Sequence, residues 1–261
     1  MTLTPLYNPS NGPMRVVGLM SGSGSNLRKI LEHERALGDQ SPYQVVALFA
    51  DNLISRARII GVDFRLPIIE NDIDRFYQEH GEEKRTRNMK IRALYDAQTV
   101  RALARYEAPV AALAGYMSRV TDPFMKAFLG VNVHPADLTI LREDGQRKYR
   151  GDNAVRDAIR AGATELRSTT HIVEPEVDGG RILMVSAPLE VKLDGVDITN
   201  ASRLQELADD HQGQLKKVGD WNIFPQTLDA IARGRYERDE EGALYFDGDR
   251  IPNGVRVDER V

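Results

Sequence analysis

The chain has 261 residues, of which 41% are hydrophobic and 28% are charged, with a formal net charge of -4 and no cysteine. Such a composition is typical of a soluble globular protein with a core, which excludes disorder and fibrous repeats. Disulfides, cysteine-ligated zinc and a thiol nucleophile are excluded as well. With no basic domain and no apolar stretch of the ~18 residues that a membrane span needs, we expect a cytoplasmic protein that binds neither nucleic acid nor a membrane.

Strands and helices are predicted to alternate along most of the chain. Residues 1–13, rich in proline and asparagine, are expected to form an irregular arm before a single domain of residues 14–261. Strands are predicted at 15–20, 44–50, 64–69, 109–114, 131–134, 168–174 and 182–191, and helices at 54–60, 89–106, 152–161, 204–217 and 221–232. The charged stretch 82–87 is predicted to be a solvated insertion, and turn signals within 236–251 predict a C-terminal hairpin. The alternation predicts an α/β fold with a Rossmann-like, doubly wound, mostly parallel sheet.

A small-residue loop, SGSGSNL at residues 21–27, lies between the first predicted strand and helix. Free backbone N–H groups at such a junction favour an anion such as phosphate. Leu27 stands where the dinucleotide fingerprint has its third glycine, and the Gly-Lys-Ser/Thr ending of a nucleotide-triphosphate loop is missing, which disfavours NAD and ATP. Asp51, after the second strand, could still mimic a ribose-binding acid, and a tight turn without any ligand is the alternative.

Polar residues also follow two later strands. Asn132 and His134 are two positions apart on a predicted strand, so their side chains share one face. Asp178 lies in a turn after the strand that holds His171, where a carboxylate can orient or charge a histidine. Each motif alone is typical of an ordinary strand end or turn. Their order, behind an anion-type loop, predicts a catalytic site.

Together these motifs resemble those of the phosphoribosylglycinamide formyltransferase family, folate-dependent enzymes that formylate glycinamide ribonucleotide in purine synthesis. The shared motifs, between about residues 15 and 253, are SGSGSNL at 21–27, AGYM at 114–117, NVHP at 132–135, THIV at 170–173 followed by VDGG at 177–180, and DGDRIP at 247–252. The resemblance implies 10-formyltetrahydrofolate as cosubstrate, a phosphorylated amine as acceptor and no metal.

The resemblance also implies roles for individual residues. The catalytic group would be Asn132, His134 and Asp178. The substrate phosphate would lie on Ser23, Gly24, Ser25 and Asn26. The folate pocket would contain Arg92, Met117, Ser118, Arg119, Val120, Glu174 and Val177, with Arg92 as partner of the folate glutamate.

The chemistry of formyl transfer fits these residue types. An amine attacks the formyl carbon, so the site must stabilise an oxyanion and move protons. Asn132 supplies an N–H donor, and His134, if protonated, supplies a second donor and a proton. Asp178 favours the imidazolium by charge pairing.

Three departures from the family pattern leave alternatives open. The segment 136–150 is longer and more charged, and we expect it to border the acceptor amine as a loop, a lid or a selecting wall. Ser118 stands where an arginine is usual. Either Asp210 or Asp220 takes the place of the acid that contacts the acceptor. A 10-formyltetrahydrofolate deformylase, a formyltransferase for another amine and a non-catalytic phosphate-ligand binder therefore remain alternatives, and a homodimer is one option for assembly.

Overall fold

An eight-stranded sheet lies at the centre of the part of the chain that the structure, a computed structural model, describes: residues 2–82 and 88–259. The strands are β1 (Thr4–Pro5), β2 (Met14–Met20), β3 (Tyr43–Ala50), β4 (Ile68–Glu70), β5 (Val110–Leu113), β6 (Leu129–His134), β7 (Glu165–Leu166), β8 (Thr169–Ile172), β9 (Ile182–Val185), β10 (Leu189–Glu190), β11 (Tyr236–Arg238), β12 (Leu244–Phe246), β13 (Asp249–Arg250) and β14 (Val255–Arg256). The central sheet has the order β14-β9-β8-β6-β5-β2-β3-β4.

Only β8 runs against its neighbours in this sheet, among the pairings of the described strands. The mostly parallel, Rossmann-like sheet predicted from the sequence is therefore confirmed. The C-terminal hairpin is confirmed too, since β11, β12 and β13 pair antiparallel in sequence order.

The helices cover both faces of the sheet. They are α1 (Ser25–Leu37), α2 (Ala57–Phe64), α3 (Ile73–Glu79), α4 (Met89–Leu103), α5 (Asp122–Ala127), α6 (Ala154–Arg160), α7 (Ala201–Leu215) and α8 (Trp221–Ala232). Val16 and Met20 of β2 pack into one core cluster with α1 and α8, whereas Val17 and Leu19 pack into a second with α3, α4 and α5. Successive side chains of a strand point to opposite faces, so β2 contributes to the cores on both sides.

Several predicted boundaries move for identifiable reasons. The strand predicted at 182–191 is divided into β9 and β10, because Pro188 between them has no N–H for the ladder. The predicted helix 204–217 begins earlier, at Ala201, because the Asn200 side chain accepts hydrogen bonds from the first backbone N–H groups. The helix predicted at 54–60 instead spans α2, at residues 57–64. Of the predicted insertion 82–87, residues 83–87 lie outside the described part of the chain.

The N-terminal arm is more ordered than the sequence indicated. Thr4 and Pro5 form β1, which pairs antiparallel with Arg238 and Glu237 of β11, and a short 3₁₀ turn follows at Pro9–Asn11. The arm thus extends the C-terminal hairpin sheet. Among the described residues, no helix has the length and apolar character of a membrane span.

Two glycines near the C-terminus provide a test of packing at the sheet edge. Gly254 and Gly248 both have a positive φ, of +71° and +85°, which an alanine adopts only with strain. A Cβ at Gly254 would also lie 2.9 Å from the Leu183 carbonyl oxygen, whereas Gly248 has open space within 4 Å. We expect Gly254→Ala to lower the free energy of unfolding more than Gly248→Ala, as measured by urea denaturation. Equal losses would show that the contact with β9 relaxes freely.

Candidate active site

A cavity of about 450 Å³ opens at the carboxyl ends of β2, β5 and β6. Loops that leave the strand ends at this edge of a parallel sheet commonly form a binding site. The cavity is lined by residues 21–26, 113–120, 132–135 and 173–178, together with Met89, Gly151, Asp152, His171, Gln212, Lys216 and Asp220. The structure thus brings every residue predicted as catalytic, phosphate-binding or folate-binding, except Arg92, to one cavity.

The glycine-containing loop joins β2 to the first turn of α1. Gly24 lies in the left-handed region, with φ at +67°, and a Cβ on it would lie 2.4 Å from the Ile60 side chain. No described side chain caps the N-terminus of α1, which begins at Ser25. Because the first N–H groups of a helix have no partners within the helix, this end of the cavity is suited to bind an anion.

Asp220 connects this loop to the other side of the cavity. Its Oδ2 accepts a hydrogen bond from Asn26 Nδ2 at 3.1 Å, and its Oδ1 accepts one from the Ser168 hydroxyl at 2.5 Å. Gly219 permits that approach, since a Cβ there would lie 2.4 Å from Ser168 Oγ. Burial raises the pKa of Asp220, and the two hydrogen bonds oppose this shift.

The two candidate acids lie in different environments. Asp220 is buried at the end of a π-helical turn, Lys216–Asp220, and lines the cavity. Asp210 is exposed on α7, where it accepts a hydrogen bond from Gln214, and it is not among the described residues of the lining. Asp220 is therefore the acid that can contact a ligand.

His134 and Asp178 form a buried pair. His134 Nδ1 lies 3.5 Å from Asp178 Oδ2, and His134 Nε2 donates a hydrogen bond to the Tyr149 carbonyl oxygen at 2.9 Å. A carbonyl oxygen only accepts, so Nε2 carries a hydrogen and Nδ1 is the ring nitrogen left to exchange a proton. Asp178 Oδ2 also accepts a hydrogen bond from the Gly151 N–H at 2.9 Å.

Burial and charge pairing shift the pKa values of His134 and Asp178 in opposite directions. Burial lowers the pKa of His134, and the negative charge of Asp178 opposes it only partly. Burial alone would raise the pKa of Asp178, but the contact with His171, the charge of His134 and the Gly151 N–H hold that pKa well below its usual range. At neutral pH the pair therefore consists of a neutral imidazole beside an ionised carboxylate. His134 therefore starts as a proton acceptor, whereas the donor role considered from the sequence required the protonated form.

Antiparallel pairing of β6 and β8 adds a second histidine. Asn132 lies opposite His171 in this register, and Asn132 Nδ2 is 3.3 Å from His171 Nε2. The same Nε2 lies 3.5 Å from Asp178 Oδ1, while His171 Nδ1 donates to the Ile172 carbonyl oxygen at 2.9 Å. His171 thus contacts both Asn132 and Asp178. The sequence showed His171 on the strand before the Asp178 turn, but strand direction was needed to place it.

The other predicted ligand-binding residues form the opposite wall. Exposed Met117 and Val177 line the cavity along with Ser118, Arg119, Val120 and Glu174. Ser118 is anchored from behind, since its hydroxyl donates to the fully buried Asp51 carboxylate at 2.5 Å. Asp51 therefore holds the loop after β5 in place through Ser118. Because its carboxylate is buried in the core, a ribose-binding role is disfavoured.

Arg92 lies away from the cavity lining. Its guanidinium is buried, 2.9 Å from Asp96 Oδ1, and donates a hydrogen bond to the Tyr116 hydroxyl at 3.0 Å. A cation held in this way supports the loop after β5 from behind. Arg119, which is exposed and lines the cavity, is better placed for an anionic group of a ligand.

The segment 136–150 packs behind the His134–Asp178 pair. None of its residues is among the described residues that line the cavity, which begins again at Gly151. The expectation that this segment forms a wall of the cavity is therefore wrong. Backbone hydrogen bonds from Lys148 to Ile140 and from Arg142 to Gln146 close it into a turn.

The lining also includes residues away from the sequence motifs, among them Met89, Asp152, Gln212 and Lys216. Gln212 and Lys216 are four positions apart, so they share a helical face. The π-helical turn that begins at Lys216 had no sequence signal that distinguishes it from the end of an α-helix. Among the described residues, no group of three or more histidine, aspartate or glutamate side chains is placed to hold a metal.

Comparisons with known proteins bear on the family and on the fold of this chain. The family model described as "Formyl transferase" matches residues 14–208. The phosphoribosylglycinamide formyltransferase of Escherichia coli is 28% identical over 254 residues, covering 94% of this chain and 100% of that protein. The trifunctional purine biosynthetic protein adenosine-3 of Bos taurus is 25% identical over 89% of this chain, which spans only 20% of that relative's length.

A solved structure shows the same fold. The phosphoribosylglycinamide formyltransferase of Coxiella burnetii superposes with a TM-score of 0.70 at 20% identity, covering 94% of this chain and 99% of that chain. At this level of identity the match bears on the fold alone.

The His134–Asp178 pair gives a prediction with a definite sign. Because the Asp178 charge raises the His134 pKa against burial, Asp178→Asn should lower that pKa further below its ordinary value of about 6.5. The ring-proton NMR signal of His134, assigned with His134→Gln, measures it across pH. Asp144→Asn, which removes an exposed carboxylate, should leave the titration unchanged. An unchanged or higher His134 pKa in Asp178→Asn would contradict the pairing.

Proposed function

The chain belongs to the formyl transferase family, and on this basis we propose that it transfers the formyl group of 10-formyltetrahydrofolate to the amine of glycinamide ribonucleotide, in purine biosynthesis. The observation that supports this most is that one cavity holds an anion-binding helix end, a buried His134–Asp178 pair and an apolar wall. A phosphorylated amine and a folate can therefore meet over the pair. A cytoplasmic location stays a prediction from the sequence.

His134 moves the proton in this proposal. A neutral Nδ1 accepts a proton from the attacking amine, and the Asp178 carboxylate, 3.5 Å away, stabilises the imidazolium that forms. The imidazolium then returns the proton to the leaving nitrogen. The net result is one proton moved from the acceptor amine to the donor, with the formyl group in the other direction.

Asn132 stabilises the charge that develops on the formyl oxygen. An amide N–H aimed at that position lowers the barrier because it is fixed before the reaction and needs no reorganisation. Its present neighbour, His171 Nε2 at 3.3 Å, is a long contact that holds the amide in place without saturating its two N–H donors.

The phosphate of the acceptor fits the loop 21–26 and the facing helix. Asn26 Oδ1 is buried and has no partner in the described part of the chain, which leaves it for a hydroxyl donor on the ligand, since a phosphate oxygen only accepts. Lys216 lines the cavity one turn before Asp220, and its charge acts on the Asp220 carboxylate, which is hydrogen-bonded to Asn26. Lys216 thus brings a positive charge to the phosphate end.

The folate fits the wall formed by the loop after β5 and the turn 173–178. Met89, Met117, Val120 and Val177 give this wall apolar area, as a pterin ring requires. Arg119 replaces Arg92 as our candidate partner for the folate carboxylates.

The decisive experiment measures loss of 10-formyltetrahydrofolate with and without each member of a panel of phosphorylated amines. We expect loss only when an amine is present, with glycinamide ribonucleotide the best acceptor and the formylated amine as product. Loss without any amine would indicate a deformylase, and no loss with any amine would indicate a ligand-binding protein.

His134→Ala should lower the turnover rate by about 10²–10⁴-fold while folate affinity stays close to that of the wild type, because the proton relay is lost and the folate wall is not. Steady-state kinetics and fluorescence titration with folate measure the two effects. His80→Ala, at an exposed position on α3's C-terminal end, is the control and should keep the wild-type rate. A His134→Ala enzyme with most of the wild-type rate would remove His134 from the mechanism.

Lys216→Gln should raise the KM for the phosphorylated amine and leave the KM for the folate unchanged, because only the phosphate end loses a charge. Lys217→Gln, at the exposed neighbouring position, removes the same charge without touching the cavity lining and should have wild-type constants. Inorganic phosphate should compete with the amine, and less well in Lys216→Gln. Equal KM changes for both substrates would contradict this assignment.

A further inference from the structure

The turn within 140–148 is held in place by backbone pairing. The Lys148 N–H donates to the Ile140 carbonyl oxygen at 2.9 Å, the Arg142 N–H donates to the Gln146 carbonyl oxygen at 2.8 Å, and Leu141 forms an isolated bridge with Arg147. The backbone of Arg147 is therefore fixed within the turn. Its side chain is half-buried, whereas that of Arg142, on the other side of the turn, is exposed.

Arg147 spans the turn that carries the Asp178 carboxylate. Its guanidinium donates one hydrogen bond to the Asp178 carbonyl oxygen and another, at 2.7 Å, to the Gly180 carbonyl oxygen. Two donors in a rigid plane fix both the distance and the orientation of the backbone they bind. A lysine at this place has a single nitrogen and cannot reproduce the planar fork.

The Asp178 turn needs such a restraint. Asp178 has a φ of +52°, in the left-handed region that residues with a side chain seldom adopt. The carboxylate direction depends on this backbone conformation, and so does the 3.5 Å separation from His134. A backbone free to relax from this region would carry the carboxylate away from the imidazole.

The residues that follow Arg147 contact the same pair. The Tyr149 carbonyl oxygen accepts from His134 Nε2, and the Gly151 N–H donates to Asp178 Oδ2. Arg147, Tyr149 and Gly151 lie within residues 147–151. One stretch of five residues thus fixes the turn, the imidazole and the carboxylate.

We propose that Arg147 is a positioning residue, which sets the place of the Asp178 carboxylate relative to His134 through its two backbone carbonyl contacts. The charged segment then serves the reaction from behind the catalytic pair. The consequence for turnover rests on the proposed function, but the geometry itself does not.

The outer ion pair of this segment does not perform this role. Arg150 pairs with Glu176, whose side chain is 58% exposed, and exposed pairs contribute little. Arg147, in contrast, is surrounded by the charges of Asp178, Glu174, Glu176 and Arg150.

The test separates the position of the Asp178 carboxylate from the charge of Arg147. Arg147→Lys keeps the positive charge and loses the planar pair of donors, whereas Arg147→Met loses both.

The measured quantity is the pKa of His134, whose imidazole faces Asp178, His171, Asp152 and the Tyr149 carbonyl. If the fork holds Asp178, both variants should lower the His134 pKa in an NMR titration, because the carboxylate recedes. Loss of a cation alone would raise that pKa and only in Arg147→Met. Arg142→Met is the matched control and should titrate as the wild type.

The kinetic result expected is a fall in kcat of about 10- to 100-fold for Arg147→Met, since displacement of a reacting group by about 1 Å has that order of effect. Arg147→Lys should lie between it and the wild type, and the KM for folate should stay within about twofold, as expected where only a transition-state interaction is lost.

A wild-type His134 titration in Arg147→Lys, or a rise in the His134 pKa in Arg147→Met, would overturn the proposal. The titration needs no turnover, so it tests Arg147 even if the amine panel shows that the chain is not a formyltransferase. If Arg147→Met does not fold, the Arg147→Lys titration alone decides the question.

Discussion

A carboxylate that is removed from water needs partners that stabilise its charge, and the partners of Asp178 come from three separate parts of the chain. His134 comes from β6, His171 from β8, and the Gly151 N–H from the segment between them. Each partner lowers the pKa of the carboxylate against the effect of burial. The ionised form is stable only while all these elements hold their places, so the Asp178 turn makes the site sensitive to the packing of the whole C-terminal half of the sheet.

The reversed direction of β8 makes this arrangement available. An antiparallel neighbour places residues directly opposite each other, and here the register sets Asn132 against His171 and His134 against Thr169. The Thr169 hydroxyl donates to the Ala136 carbonyl oxygen at 2.6 Å, which fixes the chain as it leaves the sheet after Pro135. The ends of β6 and β8 thus bring the Asn132 amide and the His134 and His171 imidazoles to one cavity. The chain that follows β6 then contacts His134 and Asp178 through Tyr149 and Gly151.

A second buried carboxylate joins the two ends of the fold. Asp220 accepts from Asn26 at the start of α1 and from Ser168 before β8, 194 and 52 positions away in sequence. Its pKa is raised, in contrast to that of Asp178, because burial outweighs the hydrogen bonds from Ser168 and Asn26 and the charge of Lys216. The different environments give one ionised acid beside the histidines and one that is more easily protonated beside the loop where we propose that phosphate binds.

The sequence by itself determined the local features: the strand and helix alternation, the glycine loop before α1, and the Asn132–His134 pair, since each depends on spacing within a few residues. It also placed Asp178 near a histidine. Only the tertiary structure decided that Asp220 and not Asp210 reaches the cavity, that Arg92 and Asp51 lie behind it, and that Lys216 and His171 belong to it. The same holds for the segment 136–150. Its charges are typical of a solvated loop, and only the structure shows that Arg147 donates hydrogen bonds to the Asp178 turn. The physical reason is that a polar side chain acquires its role from partners far away in the chain, which residue type and local periodicity do not specify.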